Sequence, residues 1–299
     1  MRILLLGKNG QVGWELNRHL ASLGELVALS RQDLDLTDIT RLRAVIRDIR
    51  PDLIVNASAY THVDQAEHEE EIAYQVNAKA VEVMASEAER LGIAIVHYST
   101  DYIFDGEKGS PYTEDDRPNP INAYGRTKLA GENFLRQSKV PNFIFRTEWI
   151  YGTRGKNFLL TILKLSRERE ELKIVNDQIG SPTWCRFISE TTAEILFRGI
   201  ENITDFFRQY GGIYHLTASG STTWYEFAKM ITELDPNNRE QVCRRIIPIM
   251  TEEYPAPAKR PKFSVLDNKK IEKTFKLKMQ KWDKMLQNMI YDLNLKDNT

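Results

Sequence analysis

Residues 2–13 read Arg2-Ile3-Leu4-Leu5-Leu6-Gly7-Lys8-Asn9-Gly10-Gln11-Val12-Gly13, and this stretch decides the fold. Ile3–Leu6 is an apolar run without polar alternation, the pattern of a strand covered on both faces. Three glycines follow at once, and a helical pattern from Gln11 to Leu23 follows them. Glycine permits a tight turn and close backbone approach, and a helix N-terminus offers free N–H groups to a pyrophosphate. Gly7, Gly10, Gln11, Val12 and Gly13 are therefore candidate dinucleotide contacts. The rival reading is an ordinary glycine-rich turn, and the position directly between strand and helix disfavours it.

Outward from this stretch, short apolar runs alternate with amphipathic ones. Leu26–Leu29, Leu53–Val55, Ile93–His97 and Phe143–Phe145 read as further strands. Thr37 reads as the N-cap of a helix whose stripe is Leu42, Val45, Ile46 and Ile49, ended by Pro51. Glu70–Leu91 and Tyr124–Gln137 read as helices. Buried parallel strands joined by helical crossovers make a doubly wound, Rossmann-type α/β domain over residues 1–150. Beyond it the pattern is broken by Pro182, Pro248, Pro255, Pro257 and Pro261. Helical stretches remain near Phe158–Arg169, Glu190–Arg198, Tyr225–Leu234 and Trp282–Leu293. Residues 151–299 are expected to form mainly a smaller substrate-binding lobe, with some elements returning to the main sheet. The lysine-rich stretch from Lys269 to Lys284 reads as a solvated helix face.

Bulk properties narrow the partners. The chain has 299 residues, 41 basic and 42 acidic side chains and a formal net charge of -1. No global field favours nucleic acid or an anionic membrane surface, so an anionic small ligand must be met by local groups. The N-terminal apolar run is too short for a signal peptide and no stretch is long enough to span a bilayer, which points to the cytoplasm. Cys185 and Cys243 lack a CxxC partner and are expected to be free thiols. The five histidines are scattered, and no metal cluster is expected.

Ser30-Arg31 ends the second strand, where an NAD-specific site would carry an acid for the ribose diol. A hydroxyl and a guanidinium suit a 2′-phosphate instead, so NADPH is expected to be favoured and NADH still accepted. A solvated loop arginine is the bland alternative. Asp35 and Leu36 are candidates for the adenine-side wall. Tyr124 and Lys128 stand four apart on one helix face, and a lysine beside a phenol can lower its pKa and make it a useful proton shuttle. Lysine can also hold the nicotinamide ribose. Where the fourth strand runs out, Ser99 and Thr100 could hydrogen-bond and polarise a substrate carbonyl, with simple strand-end capping as the alternative.

Together these residues resemble the extended short-chain dehydrogenases/reductases and, more narrowly, the dTDP-4-dehydrorhamnose reductase family. The resemblance runs almost the full length, through Gly7–Leu16, Val55–Thr61, Ser99–Gly106, Asn122–Glu132, Phe145–Trp149, Asn176–Thr183 and Trp224–Ala228. It implies NADPH-dependent reduction of the C4 keto group of a deoxysugar nucleotide, with Tyr124 as proton donor and Lys128 as its activator. It implies that Gly10, Gln11, Val12, Ala57, Ala59, Tyr60, Thr61 and Tyr98 line the cofactor. Thr100, Asp101 and Trp149 would then meet the sugar nucleotide, and Gln178 and Arg260 could hydrogen-bond it. By resemblance alone, a homodimer with Mg2+ near its contact is also implied. Glu148 departs from the family pattern, which has a small residue between Thr147 and Trp149. The alternatives are a reductase or epimerase of another nucleotide sugar, and a non-catalytic regulatory subunit like that of methionine adenosyltransferase.

Overall fold

In the computed structural model, which describes residues 1–297, six strands form one wholly parallel sheet. They are β1 (Arg2–Leu6), β2 (Glu25–Leu29), β3 (Leu53–Asn56), β4 (Ala94–Thr100), β5 (Asn142–Thr147) and β6 (Gly212–His215), in the order β6-β5-β4-β3-β1-β2. The chain runs outward from β1 to β2 and then returns to the other side at β3. This reversal opens a crevice above the C-terminal ends of β1 and β3, where open α/β sheets bind ligands.

The strands are apolar throughout because both faces are covered. Alternate side chains leave on opposite faces, as strand geometry requires. Ile3, Leu5, Leu53, Val55 and Val96 pack with Leu16, Ile188, Ile195 and Phe207, while Leu4, Leu6, Ile54 and Ile95 pack with Leu42, Ile46, Met84 and Leu135. The first layer uses α1 (Gln11–His19) with helices Cys185–Arg198 and Ile203–Tyr210. The second uses α2 (Ile39–Ile49), α3 (Ala80–Leu91) and α4 (Ala123–Gln137). Thus a strand and two helices from beyond residue 150 build the main sheet and one of its coats. The rest of that half carries three two-stranded ribbons, among them Glu171–Val175 with Arg245–Ile249.

Three local readings change. The cap of α2 is Asp38, whose carboxylate accepts from Arg41 N, one residue past Thr37. Thr37 instead donates to Asp35 through both its N–H and its hydroxyl. The helical stretch over Glu70–Leu91 is interrupted by a π turn at Gln75–Lys79, which places Asn77 inward. Lys269–Lys284 is not one solvated face: helix Lys269–Phe275 ends in a left-handed Lys276, and Ile271, Phe275 and Met279 are buried. Both cysteines are free. No helix among the described residues is long and apolar enough to cross a membrane.

Candidate active site

A cleft of about 850 Å³ lies above the reversal point and extends over the ends of β4 and β5. The end over β1 and β3 is made largely of backbone. Gly7 sits at φ +89°, and a Cβ on Gly13 would stand 2.0 Å from the Gly7 carbonyl oxygen, so the loop and α1 can meet only because both residues are glycine. Gly10 caps α1 without a side chain, and the first intrahelical bond runs from Trp14 N to Gly10 O. The N–H groups of the first turn therefore have no partner within the helix, a donor set that fits a pyrophosphate. Gly7, Gly10, Gln11, Val12, Arg31, Asp35 and Leu36 line this end, and so do Ala57, Ala59, Tyr60 and Thr61 from the loop after β3.

Two sequence-derived contacts are placed differently. Gly13 is buried beneath the loop and serves the packing of helix on turn. Ser30 is buried outside the lining, with its hydroxyl and N–H both donating to Asp33 Oδ2 at 2.8 Å. These bonds and the Lys8 ammonium at 3.0 Å hold the Asp33 carboxyl well below the usual range. Arg31 remains on the cleft wall, 81% exposed, with Nε 3.4 Å from Asp35 Oδ2.

The π turn ties the two ends of the site together. Asn77 Oδ1 accepts from Tyr60 N at 2.9 Å, and its Nδ2 donates to Thr127 Oγ1 at 3.1 Å, joining the β3 loop to α4. Arg146 on β5 forms a fully buried pair with Glu132, at 3.0 Å from Nε and 2.7 Å from Nη2, which fixes the far end of α4 against the sheet. Between these anchors, α4 delivers Tyr124 and Lys128 to the cleft, β4 delivers Tyr98, Ser99 and Thr100, and the 3-10 turn Asp101–Ile103 that follows delivers Asp101.

Lys128 is 2% exposed and its Nζ donates to the Tyr98 carbonyl at 2.6 Å. Burial pushes its pKa down to about 8, against the Glu132 charge that raises it. Burial pushes the Tyr124 phenol up. The Thr100 hydroxyl pulls it back, and the Asp101 charge adds to the rise. Lys128 lines the same cleft as Tyr124, four residues on along α4, as the spacing predicts. A half-buried phenol of raised pKa holds its proton at neutral pH, which is the state a donor requires.

At the other end, Trp149 stacks on Trp224, with centroids 3.5 Å apart and planes 8° from parallel. Trp149 adopts φ +44°, a backbone conformation unusual for a bulky residue and common at functional sites. Gln178 lies behind this pair: it accepts from Trp224 Nε1 at 3.2 Å, donates to Thr251 Oγ1 at 3.1 Å and does not line the cleft. Arg260 is also outside the lining. Its guanidinium binds Asp64 at 2.8 Å and the Ala258 carbonyl at 3.1 Å. Trp224, Thr147, Glu148, Gly155 and Lys156 line the cleft without having been singled out as contacts. Asn157 Nδ2, bound to Gln11 Oε1 at 2.9 Å, brings the Gly155-Lys156 loop over the start of α1. That bond spans 146 positions, and no local pattern announces it.

Among the described residues, no group of three His, Cys, Asp or Glu side chains converges to hold a metal.

The model of the RmlD substrate binding domain matches residues 1–295. The chain belongs to this family. A dTDP-4-dehydrorhamnose reductase of Burkholderia thailandensis is 46% identical over 286 residues, covering 94% of this chain and 95% of the relative. The Escherichia coli K12 protein of the same name is 42% identical over 298 residues, 98% of each chain. The crystal structure of the Bacillus anthracis dTDP-4-dehydrorhamnose reductase, solved in complex with NADP, superposes with a TM-score of 0.86 at 35% identity, covering 97% of this chain and 99% of that one. RmlD family membership and a Rossmann-type reductase fold thus agree with the cleft built from β1, β3, β4 and α4.

Proposed function

We propose that this chain reduces the C4 keto group of dTDP-4-dehydro-L-rhamnose to dTDP-L-rhamnose at the expense of NADPH. The observation that carries the reading is the convergence of Tyr124, Thr100 and Lys128 at one cleft with the glycine loop and the α1 N-terminus. The nicotinamide cofactor supplies the hydride when bound. The first-turn N–H groups of α1 would hold its pyrophosphate, and Lys128, anchored by the Tyr98 carbonyl, would stand against its ribose. Thr100 and Tyr124 would both meet the substrate carbonyl oxygen, and Tyr124 would give up its phenolic proton as negative charge develops there. The stacked indoles of Trp149 and Trp224 offer an apolar face to the nucleotide base or sugar.

The relatives named for this activity support the substrate, and the NADP complex of the Bacillus anthracis enzyme supports the cofactor. The finer assignments belong to the same reading: NADPH over NADH, residues beyond 150 as the main source of substrate contacts, a cytoplasmic location and a homodimer. The test is NADPH oxidation, followed by absorbance, with dTDP-4-dehydro-L-rhamnose beside other 4-keto sugar nucleotides. Stoichiometric consumption with the rhamnose precursor as best substrate is the expected result. Cofactor recycling without net oxidation would mark an epimerase, and no turnover of any 4-keto sugar nucleotide would refute the reading.

A further inference from the structure

The helix that carries Tyr124 begins on a residue bonded in two directions. Asn122 is fully buried, and its Oδ1 accepts from Gly125 N at 2.8 Å as the N-cap of α4. Its Nδ2 donates to the Lys259 carbonyl at 2.9 Å, 137 positions along the chain. Serine and aspartate cap helices about as well as asparagine, so the cap alone does not call for this residue. A carboxamide adds a separate donor atom, which here reaches a second segment while the oxygen holds the helix.

That second segment, residues 258–266, crosses back from the C-terminal half as a strap with no helix or regular strand of its own. Asp64 accepts from Arg260 Nη2 at 2.8 Å and from Ala258 N at 3.3 Å, which pins one end to the loop after β3. Phe263 and Leu266 make isolated bridges to Ile179 and Tyr112. Ser264 Oγ and Leu266 N donate to the Glu148 carboxylate, each at 3.3 Å, and Glu148 lines the cleft. The first turn of α4 is gripped on its other sides as well. Ala123 N donates to Glu67 Oε1 at 2.7 Å, and Gly125 lies so near the Tyr102 carbonyl oxygen that a Cβ would stand 2.0 Å from it. Tyr124 sits in the middle of these contacts.

We propose, on the reductase reading above, that Asn122 is a positioning residue: it locks the first turn of α4 to the strap and so sets the Tyr124 phenol at the reacting carbonyl. Tyr124 is only the second residue of α4, in the turn whose N–H groups lack partners within the helix and where helices fray. Intrahelical bonds alone therefore do not fix its place. A proton donor must come within hydrogen-bond reach of the oxygen it serves, and a misplacement of about 1 Å can cost a hundredfold in rate. The bond to Lys259 thus makes the proton-donating step depend on how the C-terminal half is seated. Removing that bond while keeping the cap leaves the helix formed and lets its first turn shift.

The test is Asn122→Ser, which keeps a capping oxygen and removes the carboxamide donor. Four readouts are compared with the parent: melting temperature, NADPH affinity by fluorescence titration, steady-state kcat, and the solvent deuterium isotope effect on kcat. The expected result is a Tm within about 5 °C, because the cap survives, and NADPH affinity within about twofold. With the phenol displaced, kcat should fall about tenfold and the isotope effect should rise, as proton donation becomes the slow step. A fall in kcat with an unaltered isotope effect would make Asn122 a fold-stabilising cap and overturn the proposal, as would an unchanged kcat. Asp64→Asn loosens the strap at its other anchor and leaves the cap untouched. It should raise the isotope effect with a smaller loss of kcat, about threefold, and it decides by the same readouts should Asn122→Ser fail to fold. Absence of NADPH oxidation by the parent protein would instead strike the reductase reading, which that measurement tests separately.

Discussion

The two ends of the cleft are built on different principles. The nucleotide end is backbone: a glycine at φ +89°, a glycine pressed against its carbonyl at the distance of a missing Cβ, and the free donors of one helix start. The sugar end is side chains from distant parts of the chain: Thr100 and Asp101 at and just past the end of β4, Glu148 and Trp149 after β5, Trp224 from helix Trp224–Leu234, and Ser264 behind them. A backbone site recognises what all dinucleotides share. A side-chain site is where one substrate is told from another, because buried polar groups penalise a ligand that leaves them unpaired. Disturbing the first end should move cofactor affinity, disturbing the second should move substrate affinity, and the residues between them should move both or the rate itself.

The largest effect is expected at the junction. Tyr124→Phe removes the proton donor and leaves the ring, so turnover should fall by roughly a hundredfold or more while NADPH affinity stays within about twofold. Steady-state rates and a fluorescence titration with NADPH measure the two. Retained turnover would remove Tyr124 from the chemistry and dissolve the junction that separates the two ends.

Next comes Lys128, which touches both ends. Lys128→Met should lower kcat and weaken NADPH binding together, each by roughly tenfold or more, the scale of one buried charge-assisted hydrogen bond. The sign of its pH dependence follows from burial. Its pKa is depressed to about 8, so the ammonium is present below that value and is lost as pH rises through it. The parent kcat/KM should therefore decline on the alkaline side near pH 8, and Lys128→Met should flatten that decline. A loss confined to kcat would assign Lys128 to the chemistry alone.

How far each end could be read from the sequence follows from the same contrast. The glycine loop, the apolar strands and the Tyr124–Lys128 spacing are local, because a turn, a buried strand and one helix face each write their pattern within a dozen residues. The π turn that aims Asn77 at Tyr60 and Thr127 leaves no such mark, since its purpose lies 17 and 50 positions away. Gln178 and Arg260 were legible as polar residues suited to a ligand, yet their partners, Trp224 and Asp64, are set by the tertiary fold. β6 and helix Ile203–Tyr210 were expected only as unplaced elements returning to the main sheet, because Gly212–His215 is only four residues long and opens on the second of two adjacent glycines. Lys128 was legible from its distance to Tyr124 along a helix, whereas its burial and its bond to the Tyr98 carbonyl, 30 positions away, were not.

A third variant probes the sugar end alone. Trp149→Ala removes one face of the indole stack, and base–aromatic stacking is worth about 1–3 kcal/mol per base. The Michaelis constant for the sugar nucleotide should rise about tenfold with little change in that for NADPH. Trp149 also holds φ +44°, so alanine there tests packing and strain together, and Trp224→Ala separates them by leaving the Trp149 backbone in place. Equal losses of both affinities would show that the two ends are not independent.

The smallest effect is expected at Arg31, on the nucleotide end, where backbone recognition gives way to one side chain. A 2′-phosphate there would be met by the guanidinium, since Ser30 is turned to Asp33 and cannot donate to it. Two features limit what Arg31 can contribute. It is 81% exposed, so water screens its charge, and Asp35 lies 3.4 Å from its Nε and sets a carboxylate beside any phosphate it holds. A charged hydrogen bond is worth about 1.5–3 kcal/mol when sheltered, and exposed pairs fall to about 1 kcal/mol or less. Arg31→Ala should accordingly raise the NADPH Michaelis constant by roughly three- to tenfold and leave that for NADH nearly unchanged, bringing the two cofactors towards parity. The same Asp35 can accept from a ribose diol, which is why NADH should still serve. Steady-state constants for both cofactors, in the parent and in Arg31→Ala, decide the point. An NADH preference in the parent would give Asp35 the ribose and leave Arg31 a solvated loop residue, while the backbone cradle for the pyrophosphate would stand as described.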